Sequence, residues 1–446
     1  MYILKYVFLI LFFNFFLSLE VPALFAQTWD FRQCAKYALE HSLKIKEYKY
    51  IIEKQEIVYR SAFADMLPQI GGGTNYSTNH GKTIDPNTNL IIEQEFSSNS
   101  YNLNGSIQLF NGFRTHHLIK FEKYNLLVAE KEYEKQQNDL VYRIMEVYTK
   151  QMLHEGLTDI QQQQCDKSEK EVERIKEMIN AGRLPGSAHY EAMAQMEADR
   201  FTLIKYKNMA SQSLLELKTL MHYPADSVLV LQEIVSVAPN LPITSVDSVY
   251  NLAKRILPEI QKLEKQLQSA SKQVQLTRAQ MYPSVSFSSG NTTGYYETFT
   301  DASGQTISFR DQLDRNRRFN YGISLHVPIF YGMERVNRVK LAKVGAQQME
   351  NELENRLSEL QYEISGALLS LRASSAEYQS ALAKGHSREV AFQKSGMQWD
   401  KGLISIMDYY ESRNNLAVAQ GEILRTRLQL FLNQHTIRFY LTASFF

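Results

Sequence analysis

Cysteine is scarce in this chain: Cys34 and Cys165 are the only two. Neither stands close enough behind the N-terminal segment to be a lipid-modified first residue. A surplus of one charge is also missing. Lys and Arg number 49 against 48 Asp and Glu, a net charge of +1, whereas a protein that neutralises phosphates needs a basic surface, so nucleic acid is excluded as a partner. Beyond the N-terminus no apolar run reaches the ~18 residues that a spanning helix requires, so any insertion into a membrane uses strands.

Catalytic and ligand-binding motifs fail one by one. Gly81-Lys82-Thr83 mimics the end of a phosphate loop, but Tyr76 stands where the earlier glycine is required and no helix is expected to follow. His116 and His117 are adjacent and point to different helix faces, unlike a metal pair at i and i+4. No serine or cysteine has nucleophile-motif surroundings. The sequence therefore predicts no enzyme, no cofactor and no metal.

The N-terminus reads as a targeting segment. Met1 to Lys5 gives a short positive start, Val7 to Leu19 an apolar run, and Val21-Pro-Ala-Leu-Phe-Ala26 the small residues of a cleavage site. Residues 1–26 are expected to be a secretory signal peptide, cut after Ala23 or Ala26, since the run is too short to span comfortably as an anchor.

What the rest of the chain does have is length without interruption. Residues 113–181 contain no proline and one glycine, Gly156, and carry Val141, Met145, Tyr148 and Met152 at helical spacing. Residues 333–401 also lack proline and carry Leu353, Leu357, Leu360 and Ile364 in the same rhythm. Glycines bracket both at the same 70-residue spacing, 112 to 182 and 332 to 402. Each stretch predicts one helix ~100 Å long at ~1.5 Å per residue, several times what a compact domain needs. Cys165 would lie far along the first of them and Cys34 near its start, beyond the ~7 Å that a disulfide allows between Cα atoms, so both cysteines are expected to be unpaired.

The chain repeats itself. Ala64-Asp-Met-Leu-Pro-Gln-Ile70 falls on Ala279-Gln-Met-Tyr-Pro-Ser-Val285 at an offset of 215, and Phe110-Asn-Gly112 falls on Phe330-Tyr-Gly332 at 220. Residues 27–223 form the first repeat: a short helix from Thr28 with Asp30 and Gln33 in capping-box positions, a second helix to Met66, a strand pair over 69–110, the long helix and a return helix. Residues 224–244, holding three prolines, are a linker. Residues 245–440 repeat the pattern, with a strand pair over 284–330, and 441–446 is a tail. Four glycines in the second long helix (345, 366, 385 and 396) cost up to ~1 kcal/mol each relative to alanine, which close packing or bending would offset.

Each half supplies two strands of about ten residues, the length a tilted strand needs to cross a bilayer. Tyr101, Leu103, Ile107 and Leu109 alternate with Asn102, Asn104, Ser106 and Gln108; Phe319, Tyr321, Ile323 and Leu325 alternate with Asn320, Gly322, Ser324 and His326. Four strands cannot close a conducting barrel, and open edges are not tolerated in lipid, so the chain must oligomerise. A trimer gives twelve strands and a lumen. The expected fold is mainly α with a small β part: duplicated long-helix hairpins forming a trimeric α-helical barrel continuous with a 12-stranded transmembrane β-barrel.

The helix-to-strand junctions Leu67-Pro68 and Tyr282-Pro283, the strand-to-helix junctions Phe110-Asn-Gly112 and Val327-Pro-Ile-Phe-Tyr-Gly332, and two glycine turns, in duplicate order and equal spacing, resemble the TolC family of outer-membrane efflux channels along essentially the whole mature chain. The resemblance implies a homotrimer whose β-barrel lies in outer-membrane lipid and whose helical barrel crosses the periplasm. It implies a role as exit duct of a tripartite efflux pump or type I secretion system, with a periplasmic adaptor and an inner-membrane transporter as partners. The competing reading is a periplasmic coiled-coil scaffold or adaptor that never inserts in a membrane.

The resemblance also singles out residues. The turns Gly182-Arg183-Leu184-Pro-Gly-Ser187 and Gly402-Leu403-Ile404-Ser405 look like the tips that dock the adaptor: glycine lets the helices approach, an exposed leucine enters a partner groove, and a hydroxyl caps. The alternative is an ordinary pair of helix hairpins. Asp408 and Glu411 match positions where some members place an acidic ring at the pore constriction, where carboxylates would favour cations and raise one another's pKa; the alternative is a solvated face. Ile404 replaces an arginine of the family pattern, and Trp399 stands in for another aromatic, so any latch at this tip uses different contacts.

Overall fold

The computed structural model describes residues 28–84, 89–93, 95–234 and 245–445. The expected signal peptide, half of the expected linker and the last residue of the tail lie outside the described residues. In chain order the elements are β1 (Thr28–Trp29), α1 (Phe31–His41), α2 (Leu43–Ala64), β2 (Gln69–Asn79), β3 (Lys82–Ile84), β4 (Ile91–Glu93), β5 (Phe96–Phe110), α3 (Arg114–Asn180), α4 (Ser187–Met221) and β6 (Val230–Leu231). The second half follows with α5 (Val246–Ile256), α6 (Pro258–Ala279), β7 (Ser284–Tyr296), α7 (Phe309–Arg315), β8 (Arg318–His326), α8 (Glu334–Asp400) and α9 (Ile406–Thr442).

The duplication is carried into the fold. The long helices α3 and α8 are 67 residues each, α2 and α6 are 22 each, and α1 and α5 are 11 each. Both long helices are entered by the same backbone device. Gly112 and Phe113 have φ of 65° and 63°, and Gly332 and Met333 have 56° and 65°, so in each copy a left-handed pair turns the chain from strand into helix. A side chain at such a φ is strained, and Phe113 and Met333 bear that cost in both halves.

The chain divides into two compact units. Of the described residues, one comprises 28–43, 137–234, 245–249 and 364–445. Its core is α1 seated on the long helix: Phe31, Cys34, Ala35 and Ala38 meet Val141, Ile144, Met145, Tyr148 and Met152, with Leu217, Met221 and Leu428 closing around them. The seam expected from Val141, Met145, Tyr148 and Met152 is thus the buried one. Asp30 and Gln33 form the capping box at the start of α1, Gln33 N donating to Asp30 Oδ1 at 2.7 Å and Asp30 N to Gln33 Oε1 at 2.9 Å. The helix begins three residues later than Thr28, because Thr28 and Trp29 pair in parallel with Val230 and Leu231. The Tyr148 hydroxyl pins that bridge, donating to Trp29 O at 3.2 Å and to Gln232 O at 2.5 Å. Cys34 and Cys165 are both free and buried. Among the four glycines of α8, Gly385 lies against Ile423 of α9, whose terminal methyl would have to shift to admit a Cβ; nothing stands within 4 Å of a Cβ at Gly345, Gly366 or Gly396. Close packing therefore accounts for one of the four.

The other unit comprises residues 44–136 and 250–363. It holds an antiparallel four-stranded sheet in the order β2-β5-β7-β8, which leaves β2 and β8 as edges. Register puts Leu103 opposite Gly72 and Asn291, and Phe319 opposite Asn291, so alternate residues of all four strands share a face. Ile70, Leu103, Phe319, Tyr321, Ile323 and Leu325 stand exposed on one face. Asn102, Asn104, Ser106, Ser288, Asn320 and Ser324 belong to the opposite, polar face. Two elements were not legible in the loops: the β3–β4 hairpin and α7, which is clipped to β7 by the fully buried Gln312. That side chain accepts from Tyr296 N at 2.9 Å and donates to Tyr296 O at 3.0 Å and Ile307 O at 2.9 Å. Among the helices of this unit, Arg356 of α8 grips Glu259 of α6 with two hydrogen bonds, at 2.9 and 3.1 Å, and Lys262 pairs with Glu132 at 3.0 Å. Among the described residues no helix is long and apolar enough to cross a membrane.

Candidate functional site: the two helical turns and the polar cluster behind them

Both long helices end in the same motif. Gly182, at φ 71°, donates its N–H to Ile179 O and Arg183 donates to Met178 O, each at 2.9 Å. Gly402, at φ 69°, donates to Trp399 O and Leu403 to Gln398 O, again at 2.9 Å. These paired bonds satisfy the last carbonyls of each helix, and only glycine takes the left-handed position without strain.

The two turns then diverge. Ser405 caps α9 with a capping box: Asp408 N donates to Ser405 Oγ at 3.1 Å, while Ser405 N and Oγ donate to Asp408 Oδ2 at 3.1 and 2.7 Å. Ser187 does not cap. It is the first residue of α4, whose N-cap is Gly186 with no side-chain hydrogen bond. The leucines differ as well. Leu403 is exposed at 69%, but Leu184 is half-buried against the cluster of Val172, Ile175, Ala188, Ala192, Trp399, Ile406 and Tyr410. The expected pair of exposed leucines is one leucine, because Pro185 and Gly186 lengthen the first turn and fold Leu184 back onto the helices.

Asp408 and Glu411 are both exposed, one helical turn apart. The hydrogen bonds from Ser405 hold the Asp408 carboxyl below the usual carboxylate range. The cause is local: a helix cap.

Behind the turns lies a cluster that the sequence reading missed. Arg413 of α9 is 1% exposed. It donates through Nη2 to Asp199 Oδ2 of α4 at 2.6 Å and through Nη1 to Ser168 Oγ of α3 at 2.9 Å. Ser168 Oγ also bonds Asp199 Oδ2, and Gln195 donates to Asp199 Oδ1 at 2.9 Å. One buried ion pair therefore joins three helices. Closer to the turns, Trp399 Nε1 of α8 donates to Glu171 Oε1 of α3 at 2.9 Å, with both residues buried, and Arg174 pairs with Asp400 at 2.6 Å. Tyr410 and Tyr409 pack beside them. Burial, with Glu171 nearby, pushes both phenols up. A signal did exist: Arg413 follows Ile406 and Tyr410 at four-three spacing, and Asp199 follows Ala192 by seven, so both charges fall on seams that are otherwise apolar.

The chain matches the family model described as outer membrane efflux protein over residues 35–221 and 249–443. It is 21% identical over 421 residues to the probable outer membrane lipoprotein SilC of Salmonella typhimurium, covering 92% of this chain and 83% of that one. It is 22% identical over 394 residues to the cation efflux system protein CusC of Escherichia coli O157:H7, covering 87% and 80%. In fold it is similar to the outer membrane protein VceC of Vibrio cholerae, with a TM-score of 0.78 at 15% identity over 93% of this chain and 97% of that one. The Campylobacter jejuni CmeC outer membrane channel gives 0.78 at 18% identity over 92% and 85%.

Proposed function

The chain belongs to the outer membrane efflux protein family, and from that premise we propose that it is the exit duct of a tripartite efflux pump or type I secretion system, working as a passive homotrimer. In this reading four strands from each of three chains close a 12-stranded barrel in the outer membrane, and the long helices form a tube through the periplasm. A periplasmic adaptor and an inner-membrane transporter complete the pump.

The observation that carries the reading is the sheet. One face exposes Phe319, Tyr321, Ile323 and Leu325, the other is amide and hydroxyl, and both edges are free. An exposed apolar face suits lipid, a polar face suits a water-filled lumen, and free edges cannot persist in a bilayer unless another chain covers them. The family consists of channels, not enzymes.

Within this reading the turns at Gly182, Arg183 and Leu184 and at Gly402, Leu403 and Ser405 dock the adaptor, with Leu403 the apolar anchor and Ser187 and Ser405 starting the return helices. The contacts Trp399–Glu171 and Arg174–Asp400 hold the tip closed, and opening moves the tip helices outward. Asp408 and Glu411 ring the constriction and attract cations, the Asp408 carboxylate from its place in the helix cap. Membrane fractionation and light scattering test the proposal. Recovery in the outer membrane with the mass of three chains in detergent is expected; a soluble periplasmic monomer would overturn it in favour of a scaffold protein.

A further inference from the structure

We propose that Arg318 sets the charge preference of the strand-lined part of the channel: in three copies it forms a positive collar at the outer mouth that admits anions and holds cations back. The proposal rests on the trimeric-channel reading and deepens it by assigning a specificity residue to the sheet.

The sheet is almost without charge. The strands β2, β5, β7 and β8 are 11, 15, 13 and 9 residues long, and Arg318 is the single Asp, Glu, Lys or Arg in any of them.

Register fixes the face on which this one charge stands. Arg318 lies opposite Thr292, and Thr292 opposite Asn102. Successive residues of a strand alternate between faces, so Arg318 belongs with Asn102, Asn104, Asn320 and Ser324 on the polar face, and its neighbour Phe319 with Leu103 on the apolar one. In a barrel whose apolar face meets lipid, Arg318 lines the lumen.

The strand fixes the height as well. β7 follows α6 and begins at Ser284, opposite His326. Arg318 lies 326 − 318 = 8 residues along β8 from His326, about 27 Å at ~3.4 Å per residue. The apolar band of an outer-membrane barrel is about 25 Å tall, so Arg318 stands at the rim away from α6, beyond the exposed row from Leu325 to Phe319.

The guanidinium is uncommitted. Arg318 is exposed, and among the described residues its side chain has neither a hydrogen bond nor an ion pair. Carboxylates of the same end serve their own loops. Glu297 Oε2 accepts from Ser97 N at 2.9 Å, Asp301 Oδ1 from Ser303 N at 2.8 Å, and Asp311 Oδ2 from Ser308 Oγ at 2.6 Å. Glu95 pairs with His80 and Glu93 with Lys82. Asp314 is exposed, as are Arg310, Arg315 and Arg317 on either side of it in sequence.

Three such charges act together at moderate salt. Neighbouring copies of Arg318 are separated by four strands, about 19 Å of sheet at ~4.8 Å per strand. The Debye length is about 10 Å at 0.1 M, so the fields of the three overlap along the wall, and about 3 Å at 1 M, where they separate. A ring of arginines favours anions in a pore as a ring of carboxylates favours cations. The collar thus opposes the preference assigned to Asp408 and Glu411, and mutation separates the two.

Reversal potentials of the reconstituted full-length protein under a potassium chloride gradient test the collar. Arg318→Gln is expected to raise the permeability ratio of potassium to chloride about twofold or more near 0.1 M, and to leave it at the parent value near 1 M. Arg318→Lys keeps the charge and should match the parent. Arg317→Gln removes the same charge one residue earlier, outside the strand, and should also match the parent. Arg318→Cys gives a second reading on channels already assembled. A positively charged thiosulfonate reagent should restore the parent ratio, and a negatively charged one should raise the ratio beyond that of Arg318→Gln. The native Cys34 and Cys165 are buried and do not compete.

A conducting Arg318→Gln channel with the parent ratio near 0.1 M overturns the collar, as does an Arg318→Cys channel indifferent to both reagents. An equal rise in Arg317→Gln overturns the placement in the lumen in favour of diffuse loop charge. A parent protein that is monomeric and never conducts removes the channel reading itself.

Discussion

Arg413 and Asp199, 214 residues apart in sequence, meet at 2.6 Å with side-chain exposures of 1% and 7%. An ion pair this dry holds its place only while both partners are present, because removing one leaves the other charged and desolvated. Arg413→Ala or Asp199→Ala is expected to cost about 3–5 kcal/mol, whereas replacing both with apolar residues of similar volume restores much of it. Thermal midpoints of the two single variants and an Arg413→Met, Asp199→Leu double variant check this: the double variant should melt above either single one.

Trp399 and Glu171 make a contact of another kind, one hydrogen bond between a neutral donor and a carboxylate. Trp399→Phe keeps the ring and removes the donor, leaving Glu171 buried without that partner, at about 1–3 kcal/mol. If this contact holds the tip closed, Trp399→Phe channels should open spontaneously more often in single-channel recordings. Glu171→Gln, whose amide oxygen still accepts the bond, should behave closer to the parent.

The cap at Ser405 carries a pH dependence. The Asp408 carboxyl in the folded chain titrates below its ordinary value of 3.8. Its contribution is therefore complete above that value and is lost as pH falls through the lower, folded-state pKa. Hydrogen exchange at the first turn of α9 should accelerate only at strongly acidic pH, and Asp408→Ala should show the faster exchange at every pH. Since Asp408 has this local duty, Glu411→Gln is the cleaner probe of cation selectivity; unchanged selectivity in that variant would remove the acidic-ring proposal.

The buried thiols should be inert. Burial, with Asp30 adding to it, pushes the Cys34 thiol up to about 12, and Cys165 is raised for the same first reason. Thiolate is the reactive form. A maleimide at neutral pH should label neither cysteine in the folded protein and both after denaturation.

The two left-handed glycines should differ when replaced by alanine. At Gly112 the φ of 65° and the 2.5 Å approach to Tyr282 act together, so Gly112→Ala should misfold or fail to assemble. At Gly182 nothing lies within 4 Å, so Gly182→Ala carries only the left-handed strain, about 1–2 kcal/mol. Expression yield and melting temperature of the two variants separate the cases.

Much of this architecture is legible in the sequence because it is written in repeats and periods. Gly112, Gly182, Gly332 and Gly402 each lie two residues outside an end of a long helix, and the alternation around Leu103 and Ile323 marks the strands. What escaped were features fixed by partners distant in sequence. The β1–β6 bridge depends on Tyr148, α7 depends on the fit of Gln312 to Tyr296, and neither leaves a local period. At the tip, the glycine turns were readable from composition, but the burial of Leu184 depends on how the first turn folds back. Arg413 and Asp199 were visible only as charges at seam positions, which a search for known motifs passes over.

Conductance of the purified protein in planar bilayers tests the central claim most directly. The account predicts discrete openings from a preparation with the mass of three chains, with cation selectivity reduced by Glu411→Gln. A preparation that remains monomeric in detergent and gives no conductance after reconstitution would contradict it.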